Sequence, residues 1–340
     1  MLESNKLSFD RAVDALRAIA EPTRFRLVQL LARNDLTVSD LTAILGQSQP
    51  RISRHLKLLV ESGILSRYQE GAWATFRLSE EAVVTGLVRS LLSRVDEGDP
   101  ELRRDAERLA AVRTQKAERA AAYFAANAGS WDRIRSLHAP DAVVEKALLD
   151  ALGKAPVGAF LDIGTGTGRL LELFAPLAGR AVGIDASREM LGVARANLDK
   201  AGIANALVRQ GNAYHLPVQQ GAFDLVTIHQ VLHFLDDPAA ALREAAAALA
   251  PGARLAVIDF APHDLEFLRA EHAHLRLGFA HDALSSMIED AGLDVETVVD
   301  VKPEGQAANQ LTVSIWVARD PRPAATASAG QPAALALLQE

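Results

Sequence analysis

The chain has 340 residues, no cysteine, 49% hydrophobic and 23% charged residues, and a formal net charge of −7. That length admits two domains with ordinary cores, and the missing thiols exclude disulfides, thiolate metal sites and cysteine nucleophiles. The acidity is uneven: residues 1–98 carry 13 Lys/Arg against 12 Asp/Glu and the remainder 23 against 31, so only the N-terminal part suits a polyanionic partner.

No run of 18 uncharged apolar residues occurs, so no transmembrane helix is expected. The opening stretch MLESNKLSFDRAVDAL is too charged for a signal-peptide core, and a cytoplasmic location is the expectation. Residues 10–20 and 22–33 read as helices, with Val13, Leu16, Phe25, Val28 and Leu31 at apolar positions. Thr37 and Asp40 have capping-box spacing before a helix that carries Val38, Leu41 and Leu45 and stops at Gly46. Ser48 is expected to cap the next helix, with Pro50 near its start and Gly63 at its end.

That next helix, QPRISRHLKLLVES, places Ile52, Leu56, Leu59 and Val60 on one face. Arg54 lies opposite, flanked by Arg51 and Lys57. A basic outer face behind a short glycine turn is the pattern of a helix-turn-helix reader of the major groove. Arginines there would meet guanine edges and Lys57 a phosphate. The bland alternative is a solvated helix face. A hairpin follows, ILSRYQ and WATFRLS around Glu70-Gly71-Ala72, and would form a wing bringing Arg67 and Arg77 to phosphate.

The segment LTVSDLTAILGQSQPRISRHLKLLVESGIL resembles the winged helices of the ArsR/SmtB repressors, over roughly residues 8–95, and Ser48–Leu59 matches that family's recognition-helix pattern. The resemblance implies a homodimer that binds a double-stranded DNA operator through Ser48, Gln49, Arg51, Ser53, Arg54 and Lys57, with Arg67 and Arg77 on the wing. Thr37 and Ser39 stand where metal-sensing members carry paired cysteines, and hydroxyls do not replace soft thiolates, so no metal inducer is implied. His55 lies about 60° from the core centre and is expected to be packed and hydrogen-bonded.

Residues 79–95 read as the helix that pairs protomers in such repressors. Asp99-Pro100 then opens a long charged helix to about Ala126, with a partial seam at Leu102, Leu109 and Val112. It is either a solvated spacer or, if docked at both ends, a mechanical link.

From Trp131 helices alternate with the apolar runs AFLDIG, RAVGID, NALVRQ, DLVTIH, RLAVIDF, VETVVDV and QLTVSIWVA, the sign of a doubly wound sheet. FLDIGTGTGRL ends the first run in a glycine turn that lets a ligand approach the backbone. Nicotinamide enzymes use a similar turn. Asp162 two residues before Gly164, and Asp185 closing the next run, fit class I S-adenosylmethionine (SAM) methyltransferases better. GNAYHLPVQQGAFDLVTIHQVLHFLDDP resembles the SAM-binding core of quinone-type small-molecule methyltransferases, over about residues 120–300.

That second resemblance implies SAM as cofactor. Gly164, Gly166 and Thr167 would line its methionine moiety, Asp185 would hold the ribose, and Asn212 and Ala213 would bracket the adenine. Asp162 would orient the loop or meet the ligand's amino group. His229, ending the fourth strand, would face the sulfonium. His229 or His233 would serve as base, with a packed role for His233 as the alternative. A small methyl acceptor follows by elimination: no Asp/Asn-Pro-Pro-aromatic segment follows strand four, and there is no cysteine for cytosine or arsenic chemistry.

His263, His272, His274 and His281 are expected to line a lid or a solvated helix; a metal site would need carboxylates such as Glu266 or Glu271 to converge with them. The Ala/Pro/Gly-rich stretch 320–340 is expected to be disordered, apart from a short helix at Leu335 to Leu338.

The expected architecture is a mainly α winged helix-turn-helix over 1–98, a helical linker over 99–130, and an α/β doubly wound, seven-stranded methyltransferase domain over 131–319. The expected function is a transcriptional regulator whose second domain senses SAM, S-adenosylhomocysteine or an acceptor. The alternative is an active small-molecule methyltransferase that also represses its own operon.

Overall fold

The computed structural model describes residues 7–32, 34, 36–70, 73–79, 82–96, 98–131, 141–153, 156–302 and 311–323. The expected turn at Gly71-Ala72 and the expected helix at Leu335 to Leu338 lie outside them.

Thr37 shows how the N-terminal helices are set. Its hydroxyl accepts from the Asp40 amide at 3.2 Å, and the Asp40 carboxylate accepts from the Thr37 amide at 3.0 Å, completing the capping box. Helices α1 (Phe9–Ile19), α2 (Pro22–Leu31), α3 (Val38–Leu45) and α4 (Gln49–Glu61) enclose a core of Leu27, Val28, Leu41, Ile44, Ile52, Leu56 and Leu59. Ser48 takes the N-cap position of α4, but its side chain makes no cap bond; its carbonyl accepts from the Arg51 and Ile52 amides at 3.0 and 3.1 Å. The strands β1 (Leu36–Thr37), β2 (Leu65–Glu70) and β3 (Trp73–Leu78) form an antiparallel sheet in the order β1-β3-β2. Helix α5 (Ala82–Leu92) closes the core with Val84 and Val88. The result is a helix-turn-helix followed by a hairpin wing.

The connector is one unbroken helix, α6 (Pro100–Asn127), of 28 residues and about 42 Å. Asp99 caps it by accepting from the Glu101 and Leu102 amides. Its first half lies on the winged helix, where Leu109 and Val112 meet the core and Arg26 grips Asp105 with bonds of 2.6 and 2.5 Å. Its second half lies on the other domain: Arg119 donates to the Ala270 carbonyl at 3.1 Å and Tyr123 Oη meets His272 Nδ1 at 2.7 Å. Burial pushes the Tyr123 hydroxyl up to about 12, so it stays protonated. The helix is a docked link, and a solvated spacer is excluded.

All seven expected strands form. They are β4 (Val157–Ile163), β5 (Ala178–Asp185), β6 (Ala206–Gln210), β7 (Phe223–His229), β8 (Leu249–Phe260), β9 (Asp294–Val301) and β10 (Val313–Arg319), in the order β6-β5-β4-β7-β8-β10-β9. Strand β10 runs antiparallel to both β8 and β9, whereas β6 through β8 pair in parallel. Side chains alternate between two cores, as the two-residue period requires. Leu161, Ile163, Ile184, Val226, Val257 and Trp316 fill one face, and Phe160, Phe174, Leu225, Ile258 and Ile315 the other. Helices α7 (Asp141–Leu152), α8 (Arg169–Phe174), α9 (Arg188–Lys200), α10 (Pro238–Ala248), α11 (Phe267–Glu271) and α12 (His281–Asp290) complete the layers. The chain leaves β4 toward β5 on one side and reaches β7 on the other. This switch point opens a crevice at the C-terminal strand ends.

Among the described residues, no helix is long and apolar enough to cross a membrane.

Candidate functional site

The crevice holds a cavity of about 480 Å³, and α6 forms one of its walls. Its floor is the turn after β4. Gly164 has φ +71, and a Cβ there would stand 2.2 Å from the Val231 side chain; Gly166 has φ +52. Both positions therefore require glycine. The Gly166 amide donates to Asp185 Oδ2 at 2.8 Å, and the Ser187 amide donates to Oδ1 at 2.9 Å. Burial raises the Asp185 pKa above the ordinary carboxylate value, against the lowering effect of those backbone donors. Asp162 is buried beneath the turn and accepts from the Thr227 hydroxyl at 2.6 Å.

Asp162, Gly164, Gly166, Asp185, Asn212, Ala213 and His229 all line this cavity. Asn212 Oδ1 accepts from the Tyr214 amide at 2.9 Å, which shapes the wall carrying Ala213. Thr167 does not join them. It is buried on the other side of the turn, where its carbonyl accepts from Asn197 Nδ2 at 3.0 Å. The cavity-lining threonine is Thr165, whose buried Oγ1 has no hydrogen-bond partner. The left-handed backbone at Gly164 and Gly166 separates the two threonines, and residue type alone did not say which would line the cavity.

Two further features were missed. Gln230, a cavity residue, has φ +53, a left-handed conformation that costs a non-glycine residue free energy. An aromatic wall is assembled from separate elements: Phe124 of α6 meets Phe234 edge-on at 4.8 Å and Trp131 at 5.3 Å. Only Phe234 belongs to the segment that the sequence singled out.

His229 and His233 diverge. His229 lines the cavity at the end of β7. His233 is 1% exposed, pairs through Nδ1 with Asp259 at 2.7 Å and meets the tilted ring of His274 at 4.2 Å behind the wall. The packed alternative describes His233: it is buried and does not line the cavity, which contradicts the catalytic expectation for it. The later histidines do not converge either. His272 meets α6, His274 meets His233, and His281 pairs with Asp300 at 2.9 Å.

On α4, Ser48, Gln49, Arg51, Ser53, Arg54 and Lys57 are exposed together, opposite buried Ile52, Leu56 and Leu59. Lys57 also lies 3.7 Å from Glu61, an exposed pair of small energetic weight. His55 is partly buried, 3.7 Å from Glu21 Oε2, and burial lowers its pKa. In the hairpin, Arg67 sits opposite Phe76 and Arg77 opposite Ser66, so the two arginines occupy opposite faces. Arg67 is exposed. Arg77 instead lines a cleft of about 640 Å³ between the domains, a correction to its placement on the wing surface.

Residues 21–67 match the family model for bacterial regulatory proteins of the arsR family, and residues 161–257 match the methyltransferase domain model. The arsenical resistance operon repressor of Escherichia coli is 45% identical over 74 residues, covering 22% of this chain and 63% of that protein. A ubiquinone/menaquinone biosynthesis C-methyltransferase, UbiE of Cellvibrio japonicus, is 34% identical over 157 residues, covering 44% of this chain and 63% of its own. A chain of the Haloferax volcanii complex of the Trm112 methyltransferase activator with a methyltransferase superposes with a TM-score of 0.51 at 21% identity, covering 58% of this chain and 98% of that one. That likeness concerns the fold. The chain spans about half the length of the curated relatives it matches.

Proposed function

We propose that this chain, an arsR-family regulatory domain joined to a methyltransferase domain, is a DNA-binding transcriptional regulator that senses SAM, S-adenosylhomocysteine or a methyl acceptor. The observation that carries the reading is α6: one helix is docked on the winged helix and also walls the cofactor-type cavity. A ligand in that cavity touches the element on which the reader rests.

The residues fit the cofactor. Glycine at 164 and 166 sets the turn that borders the cavity, where the methionine moiety would lie: a Cβ at 164 would collide with Val231, and 166 is left-handed. Asp185 accepts from the ribose hydroxyls, and Asn212 and Ala213 border the adenine. When bound, SAM supplies an electrophilic methyl group. Exposed Ser48, Gln49, Arg51, Ser53, Arg54 and Lys57 read a double-stranded operator, with Arg67 on phosphate. The protein works as a cytoplasmic homodimer in this reading.

The test is operator titration by fluorescence anisotropy on a duplex enriched from a randomised pool with the full-length protein. Adding saturating SAM or S-adenosylhomocysteine should change the dissociation constant. No change with either ligand would sink regulation by these two molecules.

One observation favours a second reading, an active small-molecule methyltransferase that also represses its own operon. His229 faces a compartment walled by Phe124, Trp131 and Phe234, which suits an apolar acceptor whose proton His229 would take. Transfer of label from isotopic SAM into a metabolite extract separates the readings. Cofactor binding without labelled product leaves the sensor alone.

A further inference from the structure

Asp105, Leu109, Val112, Lys116, Ala120 and Phe124 follow one another at three- or four-residue spacing, which makes them a single stripe along α6. The N-terminal end of the stripe rests on the winged helix, and Ala120 and Phe124 line the cofactor cavity. Between the two ends stand Arg113 and Lys116, which line both that cavity and the interdomain cleft.

Arg113 is divided between the domains. Its Nη2 donates to Asn34 Oδ1 at 2.8 Å, just beyond α2, while its Nε lies 3.0 Å from Asp236 Oδ2 at the cavity rim. The other Asp236 oxygen accepts from the Tyr214 hydroxyl at 2.5 Å. Tyr214 itself lines the cavity next to Asn212 and Ala213. Lys116 donates at 2.9 Å to Asp40, the carboxylate of the capping box that starts α3. Charge-assisted bonds therefore run from the cavity rim through Arg113 to Asn34, just beyond α2, and separately from Lys116 to the start of α3.

We propose that Arg113, assisted by Lys116, is the residue through which occupancy of the cofactor cavity changes the DNA affinity of the winged helix. The inference rests on the regulator reading given above and assigns its route. A guanidinium carries its donors in a fixed plane, so one group cannot follow two acceptors that move apart. An occupant that displaces Tyr214 or Asp236 makes Arg113 lose its alignment with Asn34 or with Asp236. Each arrangement holds α6 differently against α2 and α3. That difference is what a ligand needs in order to shift an equilibrium between two states.

The experiment uses the full-length protein, the enriched duplex and S-adenosylhomocysteine as the ligand. The operator dissociation constant is measured with and without saturating ligand for wild type, Arg113→Gln, Asn34→Ala and Arg104→Gln, the last being exposed on the same helix. Calorimetry without DNA confirms ligand binding to Asn34→Ala, whose altered side chain lies outside the cofactor cavity. We expect a ratio of about fivefold or more for wild type and Arg104→Gln, and below about twofold for Arg113→Gln and Asn34→Ala. A full ratio in both of those variants overturns the inference and leaves the regulator reading standing. A wild-type ratio of one overturns the reading, and the inference with it.

Discussion

At the scale of single residues, the two sites rest on different chemistry. Arg54 is exposed opposite the α4 core, so truncation there leaves the packing undisturbed. Arg54→Ala should weaken operator binding by about 1–3 kcal/mol in anisotropy, with unchanged thermal stability. Wild-type affinity would remove it from the reading surface. Asp185 gives a pH signature. In the proposed reading ribose hydroxyls donate to its ionised form, so ligand binding favours the carboxylate, whose pKa burial has already raised. Affinity for S-adenosylhomocysteine should therefore be full above that raised pKa and fall as pH drops through it, a fall that Asp185→Asn removes. An identical pH profile for the variant would put the titration elsewhere. The residues at these sites were legible wherever residue type alone decides: glycines in a turn, an acid ending a strand, arginines facing away from leucines. They were illegible where direction decides. Thr165 and Thr167 are one residue type two positions apart, and Arg67 and Arg77 are each basic on a wing. Only the turn's handedness and the hairpin register separate them.

At the scale of elements, the strands and helices follow from period and punctuation, because buried parallel strands read as continuous apolar runs. Helix α6 was harder to read. Its apolar seam is short because much of its docking is polar: Asp105, Arg113, Lys116, Arg119 and Tyr123 make contacts that no hydrophobic count reveals. Its two ends bind different domains, so its role depends on continuity. Ala111 is exposed in its interior, and Ala111→Pro should cost about 3 kcal/mol locally and break the rod. Both domains should keep their own melting transitions while the effect of S-adenosylhomocysteine on operator affinity disappears. An undiminished effect in a variant with reduced helicity would show that α6 need not be continuous.

At the scale of the whole molecule, the chain places a reader and a cofactor-type cavity on opposite ends of one strut. The winged helix carries the suitable charge for a polyanion, and the larger domain carries the net acidity. Thr37 and Ser39 offer hydroxyls, which do not replace thiolates as soft-metal ligands, and the proposed input is the cavity of the second domain. Coupling between two sites is reciprocal: whatever ligand occupancy does to DNA affinity, DNA must do to ligand affinity by the same factor. Calorimetric titration of S-adenosylhomocysteine into the free protein and into the operator-saturated protein tests this most directly. A regulator of the proposed kind shows two dissociation constants whose ratio, about fivefold or more, equals the ratio measured for operator with and without ligand. Equal dissociation constants in the two titrations would contradict it.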